Sequence, residues 1–116
     1  MKRDIDLIKE VLIQIETSKA PAKNIDVFVK EIEPEVISYH ISLLYEAGFI
    51  NAEDTSGFGT YRWIPTSLTW QGHEFLDGIR NDTVWGKLKS KMKEHGGNMP
   101  FHVIKELVIS YSKELI

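Results

Sequence analysis

The most concentrated group of charged side chains lies near the C-terminal end of the sequence. It is the run Lys87-Leu88-Lys89-Ser90-Lys91-Met92-Lys93. On a helix these lysines form two pairs with a spacing of four residues, on either side of a stripe made by Leu88 and Met92. Such an edge could contact phosphate groups. Lysine stems also cover the border of a buried stripe while their ammonium groups stay in water, and we favour this structural role for the run.

The histidines are the next residues that could do chemistry. The sequence contains His40, His73, His95 and His102. No two of them have a close helical spacing, and His73-Glu74 lacks the second histidine of a zinc-protease motif. No nucleophile, base and orienting group can be assembled from the chain, and there are no cysteines for thiol or metal chemistry. We therefore expect no enzymatic activity, no cofactor and no metal site.

Charge and hydropathy narrow the class of protein. The 116 residues carry 14 Lys and Arg against 17 Asp and Glu, a net charge of −3, which disfavours general binding to nucleic acid. Residues 1–82 hold 8 basic and 14 acidic side chains, whereas residues 83–116 hold 6 basic and 3 acidic ones. No apolar run approaches the roughly 18 residues of a membrane span, and the start lacks the apolar core of a signal peptide. We expect one soluble cytoplasmic domain without membrane contacts.

Helix signals recur along the chain. Apolar residues at helical spacing, proline starts and glycine stops predict five helices. Thr69 and Asp82 are the predicted N-caps of the third and fourth helices. The predicted helices cover residues 4–17, 34–47, 70–80, 83–94 and a last segment that begins at Pro100.

One hairpin is predicted between the second and third helices. The turn formers of residues 54–59 separate two strand-like segments, 49–53 and 61–65. Residues 25–29 fit either a brief strand or a single helical turn. The resulting order is helix, short extended piece, helix ending in glycine, hairpin and helix, which is the order of a winged helix.

Two short stretches of the sequence support the winged-helix interpretation. Ile37–Ile50 resembles the recognition helix and first wing strand of bacterial winged-helix regulators, and Leu68-Thr69-Trp70-Gln71-Gly72 is similar to the string that follows their wing. The resemblance implies that Thr69 caps a helix and that Gly72 permits close helix packing. We therefore expect an α+β, mostly helical fold, a winged helix-turn-helix with a β-hairpin wing. A core over 1–82 would carry two appended helices over 83–116, in a single domain overall.

Further strings resemble one family of small bacterial and prophage proteins. These strings are Met1–Ile8, Tyr39-His40, Leu68–Asp77, Asn81–Trp85 and Gly96-Gly97. On them the chain is identified as a member of domain of unknown function 2513. The resemblance implies the family and supports the fold, and it implies no activity.

A winged helix bound to DNA places its recognition helix in the major groove and its wing on the backbone. Ser38, Tyr39 and Ser42 are expected to face outward, where they could bond phosphates or base edges. The predicted contacts to double-stranded DNA are Lys23, Ser38, Tyr39, Ser42 and Arg62. Residues 34–47 contain no Lys or Arg, so this binding should be weak, because affinity grows with the number of phosphates neutralised.

Two functions therefore stay open. The first is a DNA-binding transcriptional regulator or accessory protein. The second is a protein-interaction or dimerisation module that uses the same scaffold without binding DNA, and the lack of cations on residues 34–47 favours it. The apolar stripe of the last helix, which includes Phe101, Leu107 and Tyr111, is broad enough that we expect the C-terminal helices to pack on the first helix or to form a homodimer.

Overall fold

The computed structural model describes residues 1–18 and 25–115. Over these residues the fold is α+β and mostly helical, with five helices and one antiparallel hairpin, so the α+β, mostly helical part of the predicted fold class is confirmed. In chain order the elements are α1 (Ile5–Thr17), α2 (Pro34–Glu46), β1 (Ile50–Asp54), β2 (Trp63–Leu68), α3 (Trp70–Ile79), α4 (Asp82–Glu94) and α5 (Phe101–Lys113).

Local capping explains where the helices begin. The Asp4 carboxylate accepts hydrogen bonds from the Asp6 and Leu7 N–H groups, which otherwise lack partners at the start of α1. Pro34 occupies the first turn of α2, where its missing N–H costs nothing. The predicted cap of the fourth helix is wrong by one residue. Asn81 is the N-cap of α4, and Asp82 lies inside the first turn, where its carboxylate favours the helix dipole.

The described chain forms two compact units, an N-terminal unit (Met1–His73) and a C-terminal unit (Glu74–Ile116). In the N-terminal unit α1 and α2 pack against each other, and both contact the hairpin. The core takes one apolar face from each element. Its members include Ile8, Val11, Leu12, Ile41, Leu44, Phe49 and Ile50. The predicted arrangement of a core over 1–82 with an extension over 83–116 stays a prediction.

The base of the hairpin fixes the start of α3. The Thr69 hydroxyl donates to the Gly48 carbonyl at 2.6 Å and accepts from the Gly72 N–H at 3.1 Å. A Cβ at position 72 would lie only 1.9 Å from the Phe49 carbonyl oxygen. The expected roles of Thr69 as a cap and of Gly72 in close packing are therefore confirmed.

The C-terminal unit is built from helix packing. α4 packs against α5, and the rings of Phe75 and Phe101 lie 5.6 Å apart. Ile104 and Val108 are the buried residues of α5, while Ile109 and Leu115 are about half exposed at 52% and 49%. This unit thus has a small apolar core and an incompletely covered last helix.

The segment before α2 differs from both expectations. Residues 25–29 form neither a strand nor a helix, and a single turn follows at residues 30–31. Their side chains nevertheless alternate between half-buried and exposed, and the Ile25 N–H donates to the Pro65 carbonyl at 3.1 Å. Within residues 1–18 and 25–115, none of the helices has the length and apolar character that crossing a membrane requires.

Candidate functional site

The two serines predicted to read DNA face the inside of the fold. Ser38 and Ser42 are 5% and 7% exposed. The Ser38 hydroxyl accepts from the Trp63 N–H at 3.1 Å, and the Ser42 hydroxyl accepts from the Tyr61 hydroxyl at 3.1 Å. The expectation that these serines point outward is therefore wrong. They fasten α2 to the hairpin, because a small hydroxyl at the border of an apolar stripe can satisfy a backbone donor across the interface.

Two of the remaining predicted DNA contacts lie within the described residues. Tyr39 is half-buried, with its ring edge-on to the ring of His40 at 5.8 Å. Arg62 is exposed, and its guanidinium lies 3.2 Å from the Asp26 carboxylate. Lys23 lies outside the described residues. The structure thus brings Ser38, Ser42 and Arg62 to one junction between α2 and the hairpin, and it gives each of these three side chains a partner within the protein.

An open groove lies at this junction. We call it the α2 groove; it runs between residues 25–28, the first half of α2 and residues 60–64 of the hairpin, and has a volume of about 420 Å³. Its walls are mostly aliphatic. They include Ile25, Val27, Ile32, Ile37, Ile41 and Ile64. Asp26, Glu35 and Arg62 are the charged groups of its lining.

Two sets of hydrogen bonds hold the outer wall of the α2 groove. The Gln14 side chain of α1 accepts from the Phe28 N–H at 3.1 Å and donates to the Phe28 carbonyl at 2.7 Å. The Ile25 N–H is bound to Pro65 of β2. Because both ends of residues 25–28 are tied to regular elements, this wall is positioned without being part of a helix or strand. Its Phe28 side chain is 74% exposed.

The surface around the α2 groove carries mostly negatively charged side chains. Glu33 and Glu35 are exposed at the start of α2, and the Asp26 side chain is 92% exposed. Farther along the hairpin, hydrogen bonds from the Ser56 hydroxyl and backbone N–H hold the pKa of Asp54 below its usual value of 3.8. A lowered pKa keeps this carboxylate ionised, so the hairpin adds negative charge.

The tip of the hairpin presents an aromatic residue. Phe58 and Gly59 form its two central positions, between the paired residues Gly57 and Thr60. Phe58 has a φ of 49° and Gly59 a φ of 83°, the left-handed conformations of a tight hairpin turn. The Phe58 side chain is fully exposed. A phenylalanine is uncommon at such a position, since left-handed backbone favours glycine and asparagine.

The lysine run lies on α4 in the C-terminal unit. Lys87 bonds the Glu114 carboxylate at 2.7 Å, and Lys91 lies 3.6 Å from Glu94. The Lys89 ammonium lies 5.4 Å from the centre of the Trp85 ring. These partners fit the structural role favoured for the run.

The histidines have local roles where partners are described. His40 is fully buried; its Nε2 accepts from the Asp4 N–H at 2.8 Å and its Nδ1 faces the Val36 carbonyl at 2.8 Å. This pattern requires a neutral ring with the proton on Nδ1. Over the part of the chain that the structure describes, no three potential ligands converge as a metal site would require.

Sequence reasoning missed the α2 groove. The available signal was the mostly apolar, loosely alternating stretch of residues 25–29, but nothing local says that Gln14 will hold this segment beside α2. The position of the groove depends on long-range contacts between α1, α2 and the hairpin. A segment without regular structure gives no periodicity from which to predict such a wall.

Comparison with known proteins places the chain in a family. A protein of Haemophilus influenzae, described as an uncharacterized protein, is 38% identical over 117 residues, covering 100% of this chain and 99% of that protein. No solved structure matches this chain. The family model described as Hypothetical protein (DUF2513) matches residues 2–98, in agreement with the resemblance seen in the sequence. The chain belongs to this family.

Proposed function

We propose that the N-terminal unit is a winged-helix scaffold that binds a partner protein and does not act as a DNA-binding regulator. The order of α1, α2, the hairpin and α3 supports the winged-helix interpretation. One observation carries the choice of partner. The surface at α2 and the hairpin is an apolar groove with carboxylates at its rim, while Ser38 and Ser42 are buried and Arg62 is paired with Asp26.

Electrostatics weigh against DNA as the partner. Binding to phosphates gains free energy by releasing counterions, and each contact needs a cation on the protein. The exposed start of α2 instead carries Glu33 and Glu35, and Glu46 lies exposed at its end. Two like charges about 4 Å apart repel by roughly 1 kcal/mol in water, and more where water is excluded. Docking this helix in a major groove would therefore be opposed at both of its ends.

The exposed apolar residues fit a protein interface. Phe28 and Tyr61 line the α2 groove with 74% and 38% of their surface exposed, and Phe58 projects from the same hairpin. Aromatic residues are enriched at the centres of protein–protein interfaces and supply much of the binding energy there. Grouped apolar exposure around a groove is also the usual mark of an interaction site.

Two measurements test this function. In the first, fluorescence anisotropy with labelled duplex DNA at low and high salt should show no binding. In the second, a photo-crosslinking phenylalanine analogue replaces Phe28 or Phe58 in the cells that make the protein, and His102, exposed on α5, serves as the control position. A protein adduct of defined mass is expected from position 28 or 58 and not from position 102. DNA binding that Arg62→Ala weakens, or the lack of any adduct at both positions, would overturn the proposal.

The predicted homodimer concerns the C-terminal unit. Ile109 on α5 and Leu115 just after the end of α5 leave apolar surface, which a second copy could cover. We expect light scattering at high micromolar concentration to give twice the mass of the chain, and Ile109→Lys to reduce it to the monomer. A monomeric mass for the unaltered protein at that concentration contradicts the dimer.

A further inference from the structure

We infer that the α2 groove binds a short basic segment of a partner protein that inserts one apolar side chain between α2 and the hairpin. This inference rests on the proposed function and specifies the chemistry of the partner. The walls of the groove would contact the apolar side chain, and the carboxylates at the rim would contact the basic residues that flank it in the segment.

The size and lining of the groove indicate the anchor. A volume of about 420 Å³ lies at the lower end of the roughly 300–1,000 Å³ of ligand pockets and has room for one large side chain together with part of the main chain that carries it. Ile37 and Ile41 form its floor on α2, and Ile64 contributes from the hairpin. Phe28 stands exposed on the outer wall, where it could cover the inserted side chain. An aromatic or branched aliphatic residue would gain most from this environment.

The charges at the rim select the flanking residues. Among the described residues that line the groove, Asp26 and Glu35 stand against Arg62, which already lies beside Asp26. Glu31 in the turn before α2 and Glu33 at the N-cap of α2 are also exposed, and the exposed Lys30 offsets only one of these negative charges. Complementary charge speeds association and rejects acidic partners. A segment with Lys or Arg on either side of its apolar residue fits this rim, and a phosphate backbone does not.

The same charges argue against a second copy of the N-terminal unit as the occupant. Residues 1–73 carry 7 Lys and Arg against 11 Asp and Glu. The exposed Phe58 of a second copy would enter the groove beside the Glu53 and Asp54 of its own hairpin. Placing these carboxylates near Asp26 and Glu35 would add like-charge repulsion to the contact, so a basic partner is favoured over self-association.

The test uses the full-length protein and three fluorescein-labelled peptides of equal length. One has a central Phe flanked by lysines, the second has the same Phe flanked by glutamates, and the third has lysines around a central Ser. Anisotropy should show binding of the first peptide, with at least a tenfold weaker affinity for the other two. Raising the salt concentration should weaken the first complex, because the flanking contacts are exposed.

Matched variants locate the binding. Glu35→Gln removes a carboxylate of the rim and should weaken the first peptide about two- to fivefold, whereas Glu46→Gln, at the other end of α2, should leave it unchanged. Phe28→Ala should weaken it about fivefold or more. Trp70→Ala removes a large ring that is 77% exposed at the start of α3, outside the lining of the groove, and should have no effect. Circular dichroism checks that all four variants keep their helix content.

Each other result overturns the inference. Equal affinity for the lysine and glutamate peptides would show that rim charge does not select the partner, and equal effects of the paired variants would place binding elsewhere. If none of the peptides binds, the groove does not take a basic segment; the proposed function then still stands if crosslinking at Phe58 traps a partner. If the protein doubles its mass with concentration and Phe28→Ala prevents this, the occupant is a second copy. Binding of duplex DNA would instead end the proposed function itself.

Discussion

Each of the two units is held together internally, and the kinds of contact differ between them. In the N-terminal unit, buried or half-buried polar groups join separate elements: His40 to the start of α1, Ser38 to β2 and Gln14 to residues 25–28. In the C-terminal unit the contacts between helices include the Phe75–Phe101 ring pair and the exposed Lys87–Glu114 ion pair. Directional hydrogen bonds specify a geometry, while exposed ion pairs contribute only about 0–1 kcal/mol. The unit with the directional bonds carries the apolar α2 groove, whereas the depression that α4 and α5 form in the C-terminal unit is shallower and more polar.

The largest difference between the two units is expected when one methyl group is added to each of them. Gly72→Ala would drive a Cβ to within 1.9 Å of the Phe49 carbonyl oxygen, a backbone atom that cannot move alone. At Gly86, on the exposed side of α4 in the C-terminal unit, a new Cβ would have nothing within 4 Å. We expect Gly72→Ala to lower the free energy of unfolding by about 3 kcal/mol or more.

Gly86→Ala serves as the matched control. Replacing a glycine inside a helix gains about 1 kcal/mol, so Gly86→Ala should be neutral or stabilise the protein by up to about 1 kcal/mol. Urea unfolding measures both values. If Gly72→Ala does not fold, circular dichroism records the loss of helix; equal stability of Gly72→Ala and the unaltered protein would contradict the close approach.

The second prediction removes a buried polar contact at constant size. His40→Leu leaves the Asp4 N–H at the start of α1 without its acceptor. It also removes the ring N–H that faces the Val36 carbonyl. The Asp4 N–H is only partly buried, so water replaces part of the lost bond, and we expect a loss of about 1–2 kcal/mol in urea unfolding. His95→Leu is the control, because His95 is exposed and touches the Lys91 carbonyl at the end of α4; its effect should stay within about 0.5 kcal/mol. Equal losses would mean that the His40 contacts do not stabilise the fold.

The third prediction concerns the contact between α2 and the hairpin. Ser38→Ala removes the acceptor of the Trp63 N–H, and we expect a loss of about 1 kcal/mol after the better helix propensity of alanine is included. Ser90→Ala, on the exposed side of α4, should instead be neutral or slightly stabilising. Because the Ser38 hydroxyl accepts the hydrogen bond from the Trp63 N–H, amide exchange at Trp63 should also speed up in the Ser38→Ala variant alone. Unchanged exchange at Trp63 would refute the fastening role.

The helices were predictable because their signals are local. Asp4, Pro34 and Gly48 mark helix ends, and the predicted limits of α1 and α2 are correct to within one residue. The orientation of Ser38 and Ser42 was not predictable, since a serine beside an apolar stripe is equally at home in water or under a hairpin. Only the long-range placement of Trp63 and Tyr61 decides between the two. The candidate site was missed for the same reason, because it consists of contacts between segments that are far apart in the sequence.

The smallest effect is expected in the exposed arm of the hairpin, on the pKa of Asp54. Hydrogen bonds from Ser56 lower the pKa of Asp54 below 3.8, and the hydroxyl contributes more than the backbone N–H. A two-dimensional NMR titration should therefore give Asp54 a midpoint below 3.8, which Ser56→Ala raises toward, but not fully to, that value. Since the folded pKa lies below the unfolded one, this stabilisation is present above the unfolded pKa and is lost as the pH falls through the folded pKa. A midpoint that Ser56→Ala leaves unmoved would mean that the Ser56 hydroxyl does not lower the pKa of the Asp54 carboxylate.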